Sequence, residues 1–364
     1  MKRPKILILF VLLIGMLPFR LVAGGATEEF RADEYIIDHI VDSYGWHILS
    51  FKGADVAIPL PIILFSEGKF VCFMSSKFHH GAEAYKGYAL GFTKDTKGKI
   101  IKLQNEDAHF TGVLEKDKTY TWSTDFLDIS ISKNVCALLV SIILLIWIFL
   151  SVAKTYKRHP NQAPKGFQAM LEVVILFIRD EIAVPLIGAH KYQKYFPYLL
   201  TLFFFILVNN LMGLVPFFPG GANVTGNIAV TMVLALLTFF IVTFSSNKNY
   251  WAHIFNTPGV PWWLKFPLPL MPLIEVVGML TKPFVLMIRL FANIVAGHII
   301  ILGFLGLIFI FGAMAPVAGY LTSPISIFFY IFMGLLELLV AFIQAFIFTL
   351  LTALYIGMAT EEHH

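Results

Sequence analysis

Long hydrophobic runs dominate the chain from about residue 135 onward. Residues 135–153 contain no charged side chain and are long enough to cross a hydrocarbon core of about 30 Å as a helix. Further runs cover about 195–217 and 227–245, and two longer stretches cover about 266–312 and 324–359. Each of the last two exceeds the ~20 residues that a perpendicular helix needs, so strong tilt or a partly horizontal path is required. The pattern predicts an all-α polytopic membrane protein with about five membrane helices, the last two long and tilted.

The beginning of the chain has the layout of a secretory signal peptide. A charged start at Lys2 and Arg3 precedes an apolar run over residues 5–18, and small residues at 23–25 follow. This order predicts a signal peptide over residues 1–24. A retained N-terminal membrane helix is the alternative, and either would export the following segment.

Residues 25–133 hold most of the acidic groups and lack any long apolar run. Short stretches with alternating apolar and polar side chains, such as 46–51 and 69–74, are typical of β-strands. We therefore expect a small β-rich external domain over residues 25–133, followed by a membrane ion-translocating domain over residues 134–364.

The composition excludes an ordinary soluble protein. The chain is 58% hydrophobic and only 14% charged, whereas soluble domains carry about 25% charged residues. A bilayer must therefore solvate much of its surface. The net charge of +4 is small and gives no indication of nucleic-acid binding. Cys72 and Cys136 form neither a disulfide framework nor a zinc-binding spacing, and both are interpreted as packing residues.

Basic residues alternate between the two sides of the predicted membrane helices. The loops at 218–223 and 313–324 carry no charge, whereas the loops on the other side hold Lys154, Lys157, Arg158, Lys165, Lys248 and Lys265. The positive-inside rule then predicts a periplasmic N-terminal domain and a cytoplasmic C-terminus in a cell inner membrane. A helix over residues 166–187, which holds several charges, is predicted to lie at the inner surface.

Arg289 is the most informative single residue, because apolar residues surround it for several turns. An arginine at bilayer depth costs at least ~2.5–3.5 kcal/mol on insertion scales, and it cannot lose its proton. Snorkelling to an interface is the alternative, but Arg289 lies far from either end of its helix. The guanidinium is therefore expected to face protein, water or a carboxylate.

Helical geometry places further polar residues beside Arg289. At about 100° per residue, the four side chains of this group fall within about 40° of one another. They form one stripe of Glu275, Lys282, Arg289 and Asn293. Pro283 is expected to kink the helix, so the alignment is approximate.

His298 and Glu337 form a second candidate group. His298 lies nine positions beyond Arg289 and therefore on the opposite side of the helix. On the last helix, Tyr330, Glu337 and Gln344 recur every seven residues on one face. A carboxylate in so apolar a helix needs a partner or water, so we expect His298 and Glu337 to face each other across an antiparallel helix pair. Together they would relay protons near physiological pH; a purely structural hydrogen bond is the alternative.

The sequence contains no arrangement that indicates covalent catalysis. It has no convincing Ser-His-Asp or Cys-His set and no complete G-x-x-x-x-G-K phosphate loop. The chain is therefore interpreted as a non-catalytic protein without a cofactor. Four histidines of the exported region are interpreted as solvated surface groups rather than metal ligands; they are His39, His47, His79 and His80.

Several short segments occur in a distinctive order along the membrane region. They are Asn210–Pro216, Thr225–Thr231, Arg289–Asn293 with Ala296-Gly297, Gln344–Phe348 with Tyr355, and the ending Glu361-Glu362-His363. Their combination resembles the F-type ATP synthase subunit a family, over roughly residues 135–364. The ordered set is highly specific, whereas any one motif alone would be weak.

The resemblance implies a proton-translocating stator subunit of the membrane sector, which forms two half-channels against a ring of c subunits. It implies that Arg289 faces the membrane carboxylate of the ring. It also implies that Asn293 and Gln344 line the ion path and that Glu275 lies near the cytoplasmic exit. The implied partners are the c-subunit ring, b-type peripheral stalk subunits, other ATP synthase subunits and membrane lipid.

Two features depart from the family pattern. Many relatives carry Glu where this chain has His298 and His where it has Glu337, so the residue types are exchanged while the acid–imidazole pair is kept. Some relatives carry an acidic residue at the position of Gly213, so that part of the access channel would be supplied differently.

Two other classes of function remain open at this stage. A self-contained secondary ion transporter would predict repeated halves around a midplane site, and no repeat is evident in the sequence. A membrane-anchored external binding module would leave Arg289, His298 and Glu337 without a purpose.

Overall fold

The computed structural model describes residues 42–51, 54–91, 96, 98–104, 110–114, 120–158, 162–215, 220–255 and 270–361. Within these ranges a β-rich region precedes a set of long helices, five of which are long and apolar enough to cross a membrane. The predicted fold class is confirmed. The predicted signal peptide, residues 1–24, lies outside the described residues.

Short antiparallel strands make up the β-rich region. They are β1 (Gly45–Phe51), β2 (Ala54–Pro59), β3 (Pro61–Ser66), β4 (Lys69–Met74), β5 (Glu83–Ala84), β6 (Tyr88–Leu90), β7 (Ile100–Leu103), β8 (Gly112–Val113), β9 (Trp122–Ser123) and β10 (Leu127–Asp128). β1 pairs with β2, β3 lies between β10 and β4, β5 pairs with β8, and β7 lies between β6 and β9. The two strands that the alternating pattern predicts are present as β1 and β4.

Alternation along β3 builds the core of this region. Ile62 and Leu64 are two positions apart, so both point to the same face, and both are fully buried. They pack with Phe73 of β4 and with Phe78, which lies in a 3₁₀ turn after β4.

Long helices follow the β-rich region. They are α1 (Lys133–Arg158), α2 (Phe167–Phe177), α3 (Val184–Ile187), α4 (Tyr192–Leu214), α5 (Ile228–Ser245), α6 (Lys248–Phe255), α7 (Leu270–Met314) and α8 (Pro316–Thr360). A π-helical segment, Ile178–Ala183, joins α2 to α3. The candidate membrane spans are α1, α4, α5, α7 from Pro272 onward and α8.

α7 and α8 are too long to stand upright in a bilayer. Each has 45 residues, which at ~1.5 Å per residue is about 68 Å of helix. That is more than twice the ~30 Å of a hydrocarbon core, so the two helices must tilt strongly or extend beyond it. Pro283 lies inside α7 without ending the helix, as neighbouring helices allow in membrane proteins.

The predicted loop at 313–324 is wrong, because α7 and α8 are separated by Ala315 alone. Small residues make this direct turn possible: a Cβ atom on Gly319 would lie 2.7 Å from the Gly312 Cα. The close approach of Gly312 and Gly319 thus lets the chain reverse direction at Ala315 without a longer loop. Pro324, taken as the boundary of the last span, lies inside α8.

The contact between the β-rich region and the loop after α4 defines one end of the helix bundle. We call the end of α4 and α5 that contacts the β-rich region the outer end, since Trp46 donates its indole N–H to the Gly220 carbonyl oxygen at 3.1 Å. The other end is the inner end. There Lys191 Nζ and Asn247 Nδ2 donate to the Thr360 carbonyl oxygen, at 2.7 and 3.0 Å, and cap the last turn of α8.

Close contact with α3 fixes the inner half of α8. A Cβ atom on Gly357 would lie 1.9 Å from the Leu186 carbonyl oxygen, so only glycine fits there. By contrast, a Cβ atom on Gly334, in the same helix, would meet nothing within 4 Å.

We expect Gly357→Ala to lower the free energy of unfolding by about 1–3 kcal/mol, because the added methyl group overpacks the α3–α8 contact. Gly334→Ala is the matched control and should be neutral or stabilising by up to ~1 kcal/mol, since alanine favours a helix over glycine. Thermal unfolding of the detergent-solubilised protein measures both. Equal effects of the two substitutions would contradict the tight packing of α3 on α8.

Candidate functional site

The candidate site lies where α7 and α8 run side by side, because both helices carry ionisable residues within apolar stretches. His298 of α7 and Glu337 of α8 face each other, with 2.6 Å between His298 Nδ1 and Glu337 Oε1. Glu337 is buried at 5% exposure, and the His298 side chain keeps 19%. The contact that the sequence predicts between these two residues is confirmed.

The imidazole ring of His298 has an oxygen atom near each of its nitrogens. Besides its contact with Glu337, Nδ1 lies 3.1 Å from the Ile294 carbonyl oxygen, and Nε2 lies 3.4 Å from the Gly213 carbonyl oxygen on α4. Carbonyl and ionised carboxylate oxygens only accept hydrogen bonds. A ring with two protons can therefore donate from both nitrogens, and a ring with one proton leaves one side without a donor.

The carboxyl group of Glu337 is close to His298 but is not fully satisfied by it. Among the described residues, no donor reaches Glu337 Oε1 with hydrogen-bond geometry, although His298 Nδ1 is 2.6 Å away. A buried oxygen without an aligned donor is costly in apolar surroundings. This oxygen of Glu337 can therefore still accept a hydrogen bond.

Gly297 allows Glu337 to approach α7 so closely. A Cβ atom on Gly297 would lie 2.9 Å from Glu337 Oε1 and 3.0 Å from the carboxyl carbon. Glycine at this position therefore leaves room for the carboxyl group directly beside the backbone of α7.

The buried side-chain amide of Asn210, on α4, lies next to this pair. It links α4 both to α8 and to the segment that precedes α5. Asn210 Nδ2 donates to the Ala341 carbonyl oxygen at 3.1 Å, and Thr225 Oγ1 donates to Asn210 Oδ1 at 2.6 Å. Ala341 lies one helical turn beyond Glu337. Sequence reasoning did not select Asn210 or Thr225 as site residues, although a paired amide, Asn209-Asn210, within an apolar span was a usable signal.

Arg289 is half-buried on α7, and the structure does not bring it together with Glu275 or Glu337. No acidic side chain of the described residues lies within the 4.0 Å of an ion pair from its guanidinium. Lys282, seven positions earlier, lies with its ammonium 5.2 Å from the centre of the Tyr355 ring of α8. The positive charge of Arg289 is thus not balanced by a carboxylate in the described part of the chain.

A small cavity lies near the inner end of α7 and is lined by Tyr250, Lys282 and Tyr355, among others. The cavity volume is about 20 Å³, which is room for roughly one water molecule. Burial raises the pKa of the Tyr250 phenol, and the negative charge of Glu275 raises it further. Half-buried Glu275 is therefore close enough to act electrostatically on this cluster.

The last two predicted site residues differ in exposure. Asn293 is exposed on α7, one turn beyond Arg289, whereas Gln344 is buried at 6% exposure on α8, seven residues beyond Glu337. The predicted stripe on α7 is therefore half-buried to exposed, unlike the buried face of α8.

Comparisons with known proteins match the two regions of the chain separately. A family model described as "ATP synthase A chain" matches residues 135–357. A second family model, described as "Domain of unknown function (DUF8433)", matches residues 35–126.

Individual relatives resemble the chain over much of its length. The ATP synthase subunit a of Chloroherpeton thalassium is 44% identical over 245 residues, which is 65% of this chain and 69% of the relative. That of a Chlorobium phaeobacteroides strain is 40% identical over 298 residues, or 78% of this chain and 82% of the relative. That of Myxococcus xanthus is 43% identical over 249 residues, or 65% and 75%.

We expect His298→Ala and Glu337→Ala each to lower the free energy of unfolding by about 3–5 kcal/mol, because each leaves the other buried group without its partner. The double substitution should cost less than the sum of the two, by about 0.5–3 kcal/mol. Unfolding of the detergent-solubilised variants measures this coupling.

Ile300→Ala provides the matched control, since Ile300 is an exposed apolar residue two positions beyond His298. Combined with Glu337→Ala, it should show a coupling near zero. Additive costs for His298→Ala and Glu337→Ala would contradict an energetic contact between the two side chains.

Proposed function

The chain belongs to the ATP synthase A chain family, and from that membership and the geometry of α7 and α8 we propose that it is the proton-translocating stator subunit of a rotary F-type ATP synthase. In this proposal the membrane domain, residues 134–364, forms two half-channels against a ring of c subunits. A self-contained secondary transporter is the weaker alternative, since it would need no ring.

The uncompensated charge of Arg289 carries this proposal. The side chain is half-buried in a membrane helix, and no carboxylate of the described residues pairs with it. Arginine at bilayer depth costs at least ~2.5–3.5 kcal/mol, so it requires water or a partner from another chain. A ring carboxylate that moves past would be such a partner, and the guanidinium would hold it ionised because a nearby cation favours the charged form.

His298 and Glu337 are assigned to the outer half-channel as a proton relay. The 2.6 Å between His298 Nδ1 and Glu337 Oε1 brings the two atoms within the distance that proton transfer needs. From this pair the proton passes to a ring carboxylate. Gln344 and Asn293 line the path toward the ring in this assignment.

Glu275 is assigned to the inner half-channel, where protons leave. Its charge acts on Tyr250 beside the small cavity near the inner end of α7. A carboxylate and a site for water are the groups that a proton released from the ring needs on its way to the cytoplasm.

Arg289 separates the two half-channels in this mechanism. Its fixed positive charge repels a proton that would pass directly from His298 and Glu337 toward Glu275. Each elementary charge that crosses about 100 mV carries ~2.3 kcal/mol, so a direct leak would dissipate the drive for rotation. A proton must therefore travel on the ring.

The chain is an integral membrane protein whose partners are other ATP synthase subunits. We assign the c-subunit ring and b-type peripheral stalk subunits as its neighbours. The chain itself is non-catalytic and supplies no nucleotide site. The external domain, residues 25–133, lies in the periplasm in this proposal, and the C-terminus lies in the cytoplasm.

We expect Arg289→Ala to abolish ATP-driven proton pumping by the complete complex, because the ring carboxylate loses its fixed cation and the barrier to leakage disappears. Membrane insertion should survive, since the substitution removes a charge from an apolar helix. Proton uptake by inverted membrane vesicles measures pumping. Ile288→Ala, at the neighbouring exposed apolar position, should pump normally; coupled pumping by Arg289→Ala would count decisively against the proposal.

Exchange of the two relay residues tests their proposed role more specifically. His298→Glu puts two carboxyl groups together and Glu337→His puts two imidazoles together, so each should slow pumping by about tenfold, or ~1.4 kcal/mol in the barrier. The double variant restores an acid–imidazole pair and should recover most of the rate. A double variant no faster than the slower single one would show that the pair does not act as a unit.

A further inference from the structure

Trp46 joins the β-rich region to the loop between α4 and α5, which the structure describes over residues 220–227. Trp46 is 2% exposed and packs in a small apolar cluster with Ala137, Ala222 and Val224. Its indole N–H donates to the Gly220 carbonyl oxygen at 3.1 Å, across 174 positions of sequence. One side chain of the external region therefore contacts both α1 and the α4–α5 loop.

The start of the β-rich region is also bound to the membrane helices independently of Trp46. Asp42 Oδ1 accepts from the backbone N–H of Asn134 at 3.0 Å, within the first turn of α1, where free N–H groups need acceptors. The Lys133 N–H donates to the Ser43 carbonyl oxygen at 2.8 Å. These bonds fix the backbone just before Trp46 to the start of α1.

The same loop also contacts residues that lie beside the His298–Glu337 pair. Thr225 is bonded to Asn210, as described above, and the Gly221 N–H donates to the Met212 carbonyl oxygen at 3.2 Å. A Cβ atom on Gly213 would lie 3.6 Å from the Ala222 carbonyl oxygen and 3.9 Å from His298 Nε2. Gly213 therefore lies between the loop and the imidazole of His298.

Gly220 holds the loop in a tight path that leaves little freedom for adjustment. A Cβ atom on Gly220 would lie 2.4 Å from the Val215 carbonyl oxygen and 2.7 Å from that of Met212. The following residues Ala222, Asn223, Val224 and Thr225 are all buried. A shift at Gly220 would therefore be transmitted to the bonds that Thr225 and Asn210 make.

We propose that the external domain holds the α4–α5 loop against the outer side of the His298–Glu337 pair, and that Trp46 is the positioning residue that fixes this loop for proton uptake. The inference rests on the proposed function, because it takes His298 and Glu337 as the first acceptors of protons from outside. It gives a role to the region that matches a family of unknown function.

Buried polar atoms beside the Trp46 cluster are consistent with a hydrated path at this junction. Among the described residues, Asn134 Oδ1 and Asn223 Nδ2 have no hydrogen-bond partner. Groups of this kind are the usual anchors of ordered water in protein interiors. The loop that Trp46 holds thus carries one of the polar groups past which protons would enter.

Trp46→Phe tests the inference in the complete ATP synthase complex, because it keeps an aromatic ring and removes the indole donor. A first measurement follows the labelling of Ala222→Cys by a membrane-impermeant maleimide, in a Cys72→Ser, Cys136→Ala background. Ala222 is 1% exposed, so labelling reports release of the loop. We expect Trp46→Phe to speed it by about five- to tenfold, as the loss of one buried hydrogen bond predicts.

A second measurement distinguishes a role in proton uptake from a merely structural one. Complexes in liposomes synthesise ATP after acid–base jumps, and the rate is recorded against the pH of the compartment that the external domain faces, with the opposite pH and the potential held constant. Trp46→Phe should change the proton concentration for half-maximal rate on that side by about five- to tenfold and leave the dependence on the opposite pH unchanged.

Trp122→Phe is the matched control, since Trp122 lies in the same region on β9 with 37% exposure; it should change neither measurement. If Trp46→Phe reduces assembly, Gly220→Ala provides the same comparison, because it displaces the loop and leaves the external domain intact.

Unchanged labelling, or faster labelling with an unchanged pH dependence, would overturn the inference. A parent complex that makes no ATP in a proton gradient would instead contradict the proposed function, and the labelling comparison would still stand.

Discussion

Hydrocarbon cannot solvate an ionised side chain, and this constraint determines how α7 and α8 are built. Each ionisable group at bilayer depth must find a partner, water or another chain. His298 and Glu337 meet this requirement within the chain, and Gly297 gives them the space. Arg289 does not meet it among the described residues. The contrast between a carboxyl group that has a partner in the chain and a cation that has none among the described residues leads, in this account, to a partner from another chain.

Much of the membrane region could be predicted because the information for it is local. Span lengths follow from hydrophobic runs, and the buried face of α8 follows from residues seven apart, such as Glu337 and Gln344. The His298–Glu337 contact was also predictable, since two costly groups on consecutive antiparallel helices have few other partners. Membership of the ATP synthase A chain family confirms the resemblance drawn from the motifs.

Other features depend on contacts between distant parts of the chain and were not predictable from one sequence. The bond from Trp46 to Gly220 spans 174 positions, and no periodicity in either segment indicates it. The amide of Asn210 stands out in an apolar span, but its hydrogen-bond partners, Thr225 and Ala341, come from other parts of the chain and are evident only in the fold. The segment at 313–324 was interpreted as a loop, but most of it belongs to α8, and Gly319 packs against Gly312 of α7.

The two ends of the membrane region have different tasks in this account: the outer end positions a relay under a loop that the external domain holds, and the inner end carries Glu275 beside a water-sized cavity. Arg289 stands between them, and the mechanism requires a second chain beside it. A structure of the assembled membrane sector measures this most directly. The account predicts the Arg289 guanidinium facing a carboxylate of the c ring, between two water-filled paths that do not meet. An Arg289 side chain that points into lipid or headgroups, with no ring beside it, would contradict the account.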